Sequence, residues 1–368
     1  MPELSKKIKE IGSEFWTGCT PRSKEGYSMR PMSIYEQHPY KVVETLSGRT
    51  ALEHIVEILV RRGQRKAYLP SYCCHTMIEP FISHGVEVIF YDVEYTDSGL
   101  HRVVEESADY DVILLMDYFG HTDAETLGIA VKEKQKGKTV VYDATHSLYS
   151  PINTATYDYI YGSYRKWVDI NSGFLACKEE FSNGEITQNY DNDEYAKKRT
   201  ALFDMKASFI NGGPIEKEDF LPLINEAEGV LEEQYHHRMP DERSMEVLRT
   251  ADATFMKHRR MENARVLDDG LNSLNDPRVR CLNSLLNTFD VPLFVPIIIA
   301  DGHRDRLRRY LIEKEIYCPV HWPKSDIHKM MKGSERLFDF ELSLICDQRY
   351  GEHDMLRIIQ EIQNYLRQ

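Results

Sequence analysis

Between residues 66 and 178 the chain alternates apolar runs with amphipathic stretches, and that alternation fixes the class of fold. The runs "KAYLP", "VEVIFYDV", "DVILLMDYFG", "TVVYDA", "YDYIYGS" and "GFLACK" predict strands. They are nearly continuously apolar rather than strictly alternating, the mark of strands covered on both faces. Just before them, "TALEHIVEILVRR" sets Leu52, Ile55, Val56 and Leu59 on one helical face. "HTMIEPFISHG" predicts a helix that Pro80 shortens or kinks, and "DAETLGIAVKEKQKGK" one that ends near Gly137. Strands joined through helices become parallel neighbours. The expectation is an α/β fold with a mostly parallel central sheet flanked by helices.

The chain's 368 residues are enough for two domains. Residues 1–40 read as an N-terminal arm, with one short amphipathic helix carrying Leu4, Ile8, Ile11 and Phe15. Residues 41–250 read as the large domain, with a helical, acidic insert around 180–250. Residues 251–368 read as a smaller C-terminal α/β domain. It contains the long helix "ATFMKHRRMENARVLDDGLNSL", a strand in "DVPLFVPIIIADG" and a closing helix in "EHDMLRIIQEIQNYL".

A net charge of −13 argues against a general nucleic-acid or anionic-membrane surface, but leaves room for a local basic pocket. No apolar run is long enough to span a bilayer. The N-terminus has no apolar signal-peptide core, so a cytoplasmic location is expected. The seven cysteines are scattered and lack a CxxC pair. That argues against a zinc ribbon or a disulfide framework; no metal site is expected, and Cys73 and Cys74 read as buried thiols.

Three short stretches carry chemical potential. In "SGRTALE" Gly48 makes a tight turn, Thr50 caps a helix, and Glu53 stands three residues on as in a capping box. A helix N-terminus is also an anion site, although most such boxes only start helices. In "VVYDATHSLYS", Asp143 ends a buried strand, where open α/β sheets keep their ligand chemistry; the plain alternative is an Asp capping the next turn. His146, three residues on, reads first as a structural histidine. In "YIYGSYRKW", Lys166 follows the next strand, 23 residues after Asp143, with Ser163 and Arg165 beside it. A lysine in an apolar pocket next to a second cation has its neutral amine favoured, and such an amine forms Schiff bases. The order of the three is what pyridoxal 5'-phosphate (PLP) requires: a helix N-terminus for phosphate, an Asp for the pyridine nitrogen, a Lys for the aldehyde.

On these stretches the chain resembles PLP-dependent fold type I, the aspartate aminotransferase superfamily. Within it the chain is most similar to the DegT/DnrJ/EryC1/StrS sugar aminotransferase-like family. "SGRTAL", "LPSYCCHTMIEPF", "MDYFG", "YDATHSLYS", "GSYRKW" and "IYCPVHWP" carry the likeness, in the family's order along most of the chain. The resemblance implies Lys166 as the Schiff-base lysine and Asp143 as the partner of the pyridine nitrogen. It implies His146 near the cofactor's 3-hydroxyl, where the family commonly has Gln, and Arg49, Thr50, Ala51 and Ser163 at the phosphate. The family often stacks an aromatic from the 71–76 segment on the ring; here Cys73-Cys74-His75 stands instead, leaving His75 or Tyr72. A homodimer with its active site at the interface is implied. The sequence departs from the family around the lysine, where a Ser five before and a His three before are usual.

The resemblance also implies transamination, from an amino-acid donor such as glutamate to a carbonyl acceptor of the nucleotide-linked keto-sugar kind. Arg165, His321 and Arg349 are candidates for gripping substrate. The alternatives are another PLP reaction on the same scaffold (elimination, dehydration or decarboxylation) and a non-catalytic regulator. A dehydratase of the family would carry His in place of the lysine, and a regulator would carry an appended DNA-binding domain; neither is legible here.

Overall fold

The computed structural model describes residues 10–23, 40–96, 99–178, 193–282, 289–299 and 302–368. The arm enters as β1 (Ile11–Gly12), and β2 (Lys41–Thr45) leads to α1 (Gly48–Arg61). Then come β3 (Lys66–Pro70), α2 (Glu79–Ser83), β4 (Glu87–Thr96), β5 (Gly99–Val103), β6 (Val112–Met116), α3 (Ala124–Gln135), β7 (Thr139–Asp143), β8 (Tyr159–Ser163) and β9 (Gly173–Cys177). Three helices follow: α4 (Asp193–Ile210), α5 (Lys217–Gln234) and α6 (Glu242–Thr250). The C-terminal part holds α7 (Ala253–Leu274), β10 (Val279–Cys281), β11 (Phe294–Ile299), α8 (Arg304–Glu313), β12 (Ile316–Tyr317), α9 (Lys332–Phe340), β13 (Glu341–Ile345) and α10 (Glu352–Leu366).

The main sheet has eight strands in the order β2-β9-β8-β7-β6-β3-β4-β5. Its centre, from β4 through β3, β6 and β7 to β8, is parallel, as the apolar runs require. β9 lies antiparallel to β8 because no crossover helix separates them. β2 and β5 extend the edges, also antiparallel. Every residue of β6 is buried, consistent with cover on both faces. The helix over 75–85 is split by its Pro80 segment into a 3-10 turn and the five-residue α2.

A second sheet, β10-β11-β13, is antiparallel and packs its own core with Leu267, Leu271, Ile297, Leu344, Ile358 and Ile362. The long α7 serves both cores: Ala253 and Met256 join the first, Ala264 and Leu267 the second. The arm differs from the sequence expectation. Leu4 and Ile8 lie outside the described residues, and Ile11 belongs to a strand rather than a helix, pairing in parallel with Ile316 of β12. The reason is tertiary: Ile11 is fully buried in the second core, and that burial outweighs a helical periodicity four positions long. Among the described residues no helix is long and apolar enough to cross a membrane.

Candidate active site

Two C-terminal strand ends and one helix head converge. β7 delivers Asp143, and β8 delivers Ser163 and then a 3-10 turn over Tyr164–Lys166. Ser163 is paired with Gly173 of β9, and α1 starts alongside. Close backbone approach at Gly173 makes this possible: a Cβ there would stand 2.4 Å from the Ser47 carbonyl carbon and 2.6 Å from the Gly48 nitrogen. The result is a cavity of about 310 Å³ reached by Asp143, Lys166, Ser163 and the head of α1.

Asp143 is 3% exposed, and its Oδ1 accepts the Thr145 amide at 2.7 Å. The Tyr161 hydroxyl is buried beside it without a hydrogen-bond partner of ordinary geometry. No lysine or arginine among the described residues pairs with Asp143. Burial therefore raises its pKa, against the pull of its Thr145 and Tyr161 neighbours. A carboxylate kept in this state is matched to a cationic N–H brought in by a ligand.

The Lys166 side chain is open to the cavity, yet surrounded by protein beyond it. Desolvation and the Arg165 charge lower its pKa; Cys74 and Glu228 act in the other direction. The turn that carries it is anchored through the next residue. Trp167 is fully buried, donates from Nε1 to the Thr145 carbonyl at 2.8 Å, and lies under the Arg260 guanidinium at 4.5 Å. Gln348 holds the Trp167 carbonyl at 2.7 Å.

At the other end of the cavity Ser47 caps α1, its Oγ accepting from Thr50 N at 3.1 Å. Backbone N–H groups of the first turn, which have no intrahelical acceptor, lie beside Ser163. Arg49 also lines the cavity, with Tyr235 beneath it at 5.1 Å and Glu79 3.6 Å away. Thr50 and Ala51 are not among the lining residues. The Thr50 hydroxyl donates to the Tyr235 carbonyl at 2.9 Å, and Ala51 is in the core.

One wall is aromatic. His146 accepts from the Phe119 amide through Nδ1 at 3.3 Å, so its Nε2 carries the proton. Its ring stacks on Trp322 at 5.3 Å and meets His321 edge-on at 5.2 Å. Burial and the Lys166 charge hold both histidines well below their ordinary pKa, and His321 adds to the effect on His146. His321 is fixed by Ser343 Oγ, 2.8 Å from its Nδ1, and donates its amide to Glu341 Oε2 at 2.8 Å. His75 lines the opposite side, while Tyr72 does not reach the cavity: it is fully buried and packs on Tyr118, Trp322 and Phe338.

Arg165 forms an ion pair with Glu228 of α5 at 2.6 Å. Glu228, Arg165, Lys166 and Pro319 are shared with a second cavity of about 440 Å³, which also contains Arg199, Arg308 and Arg349. Arg349 is clamped by Asp347 at 2.7 Å and crosses the Phe15 ring at 4.2 Å. It stands in this second cavity, not beside Asp143.

Sequence reasoning missed three participants. Cys74 packs against the core but also lines the cavity. Burial would raise its thiol pKa, but His75, Thr76 and the Lys166 charge outweigh burial and lower it. Trp322 and Glu228 gave no pattern, since one sits in a loop and the other on a helix of the insert. Adjacency to His321 was the single available signal, for Trp322.

No family model matches the chain, and no curated protein does. Solved structures do. Helicobacter pylori PseC, an aminotransferase involved in the biosynthesis of pseudoaminic acid, superposes with a TM-score of 0.63 at 13% identity, over 97% of this chain and 98% of its own. NtdA from Bacillus subtilis, with bound cofactor PMP, gives 0.60 at 14% identity, over 88% and 73%. A DegT DnrJ EryC1 StrS aminotransferase from Brucella abortus gives 0.55 at 16%, over 88% and 85%. The chain has the fold of these aminotransferases, that of the type I PLP-dependent enzymes.

Proposed function

We propose that the protein is a PLP-dependent aminotransferase that passes an amino group from an amino-acid donor, glutamate foremost, to a keto-sugar carried on a nucleotide. The observation that carries the reading is the pairing, in one cavity, of a cavity-facing lysine of lowered pKa with a buried carboxylate that has no cationic partner among the described residues. The fit to PLP rests on that orphaned Asp143, on the helix head beside Ser163, and on the neutral N–H of His146. The similar structures, two aminotransferases and one PMP complex among them, support the same reading.

When bound, PLP supplies an aldehyde that carries nitrogen and a protonated ring that takes up electrons from the substrate carbon. In this reading Lys166 Nζ would hold the cofactor and, once released, would take the proton from the donor's α-carbon and deliver it to the carbon that was the aldehyde. Its lowered pKa keeps a larger share of the amine neutral for that work. Asp143 keeps the ring nitrogen protonated. The α1 head, Ser163 and Arg49 hold phosphate, and His146 donates from Nε2. His321 and Trp322 exclude water from one face. Arg165 is held by Glu228 and acts on Lys166 through its charge, leaving substrate carboxylates to the wider cavity.

A homodimer and a cytoplasmic location belong to the same reading. The seven cysteines are all free, which suits a reducing compartment. The testing experiment is a half-reaction: purified holoprotein given glutamate alone converts its cofactor to the pyridoxamine form. Loss of the aldehyde absorbance without pyridoxamine, or no change with any common amino acid, rejects transamination.

A further inference from the structure

Away from the cavity, the middle of α1 gathers imidazoles around one carboxylate. His54 and Glu57 lie three residues apart and so share a helix face; His54 Nδ1 stands 3.8 Å from Glu57 Oε2. His237, in the segment between α5 and α6, brings its Nε2 to 3.2 Å from Glu57 Oε1. The two rings meet edge-on with centroids 5.0 Å apart. One ligand atom from each of the three residues lies within 4.8 Å of the others. His84, just after α2, is the nearest further imidazole, its Nε2 3.7 Å from the same carboxylate.

Hydrogen bonding leaves this cluster incomplete. His54 is 2% exposed, and its Nδ1 has no hydrogen-bond partner. The Nδ1 of His237 is likewise buried and unpartnered. Buried polar atoms are paired in the great majority of cases, so the orphaned Nδ1 of His54, on the side of the Glu57 carboxylate, asks for a missing partner. Arg61, 45% exposed, also approaches Glu57, at 4.0 Å.

We propose that His54, Glu57 and His237 form a binding site for a divalent transition metal, zinc foremost, that pins α1 to the segment entering α6. Two imidazoles and a carboxylate are an ordinary zinc donor set. Four donors at zinc's bond lengths stand about 3.3 Å apart; here the two histidine-to-carboxylate separations are 3.2 and 3.8 Å, and the three ligand atoms lie within 4.8 Å of one another. His84 or water completes the tetrahedron. The site is built from residues outside the proposed cofactor cavity and does not depend on the aminotransferase reading.

The test uses the full-length protein, stripped with EDTA and titrated with zinc against a chromophoric chelator. The expected result is one tight zinc per chain. Glu57→Gln and His237→Ala should each weaken it by more than the about 10–100-fold that loss of even an outer partner of a ligand costs. Zinc should raise the melting temperature of the wild type and leave that of Glu57→Gln unmoved. Since both variants are checked for folding by their own melts, loss of binding is not confused with unfolding. Cobalt(II) distinguishes the ligands: an imidazole–carboxylate site gives its visible bands without thiolate charge-transfer absorption. No saturable zinc, wild-type affinity in both variants, or a thiolate spectrum each overturns the proposal.

Discussion

The indole Nε1 of Trp167 donates to the carbonyl oxygen of Thr145 at 2.8 Å, tying the turn that carries Lys166 to the turn that follows Asp143. One hydrogen bond thus couples the positions of the two groups on which the proposed chemistry depends. Trp167→Phe keeps a ring over which Arg260 can lie but removes the donor and part of a fully buried ring, leaving a buried carbonyl unpaired. The cost should be about 1–3 kcal/mol of stability, measured by urea unfolding. Turnover should fall more than that cost alone would imply, since misplacement near 1 Å is worth about 100-fold. Unchanged turnover would show that the two turns are fixed independently.

Arg165 and Glu228 should move the Lys166 amine in opposite directions. Desolvation and then the Arg165 charge lower its pKa, while Glu228 raises it. Arg165→Met removes a repelling cation, so more of the amine is protonated at a given pH, and capture of PLP by the apoprotein shifts to higher pH. Glu228→Gln removes an attracting anion and shifts capture to lower pH. The rate of capture against pH reads both. Shifts of the same sign would show that the pair acts by geometry rather than charge.

Glu341 gives a stability prediction with a defined sign. Burial raises its pKa from 4.5 to about 8, opposed by hydrogen bonds from Ser343 and the His321 amide. Between those values the folded chain keeps a proton that the unfolded chain releases, so rising pH favours unfolding across that window. Glu341→Gln cannot ionise and keeps an acceptor for the His321 amide. Its melting temperature should fall less than the wild type's between about pH 5 and pH 9. Parallel curves would mean that Glu341 ionises without penalty.

Much of the architecture was legible in the chain because buried parallel strands need unbroken apolar runs, and β6 and β7 have them. The edge strands β2 and β5 were not read. "KVVET" and "GLHRV" are short and polar on one side, and only their sheet neighbours make them strands. That Asp143, Ser163 and Lys166 would meet at one cavity was legible because strand ends place side chains predictably. Thr50 and Tyr72 were misplaced by the same reading, since which way a residue faces one position from a site depends on packing. The Arg165–Glu228 pair could not be foreseen: it spans 63 residues and joins the main sheet to a helix of the insert.

The central claim is that Lys166 holds the cofactor, and borohydride tests it most directly. Reduction of the PLP-loaded protein, followed by peptide mass analysis, should leave the reduced cofactor on the peptide containing Lys166 and nowhere else. Lys166→Ala protein, still folded by its melting curve, should retain none. A reduced adduct on the Lys166→Ala protein, or on a different lysine of the wild type, would contradict the account.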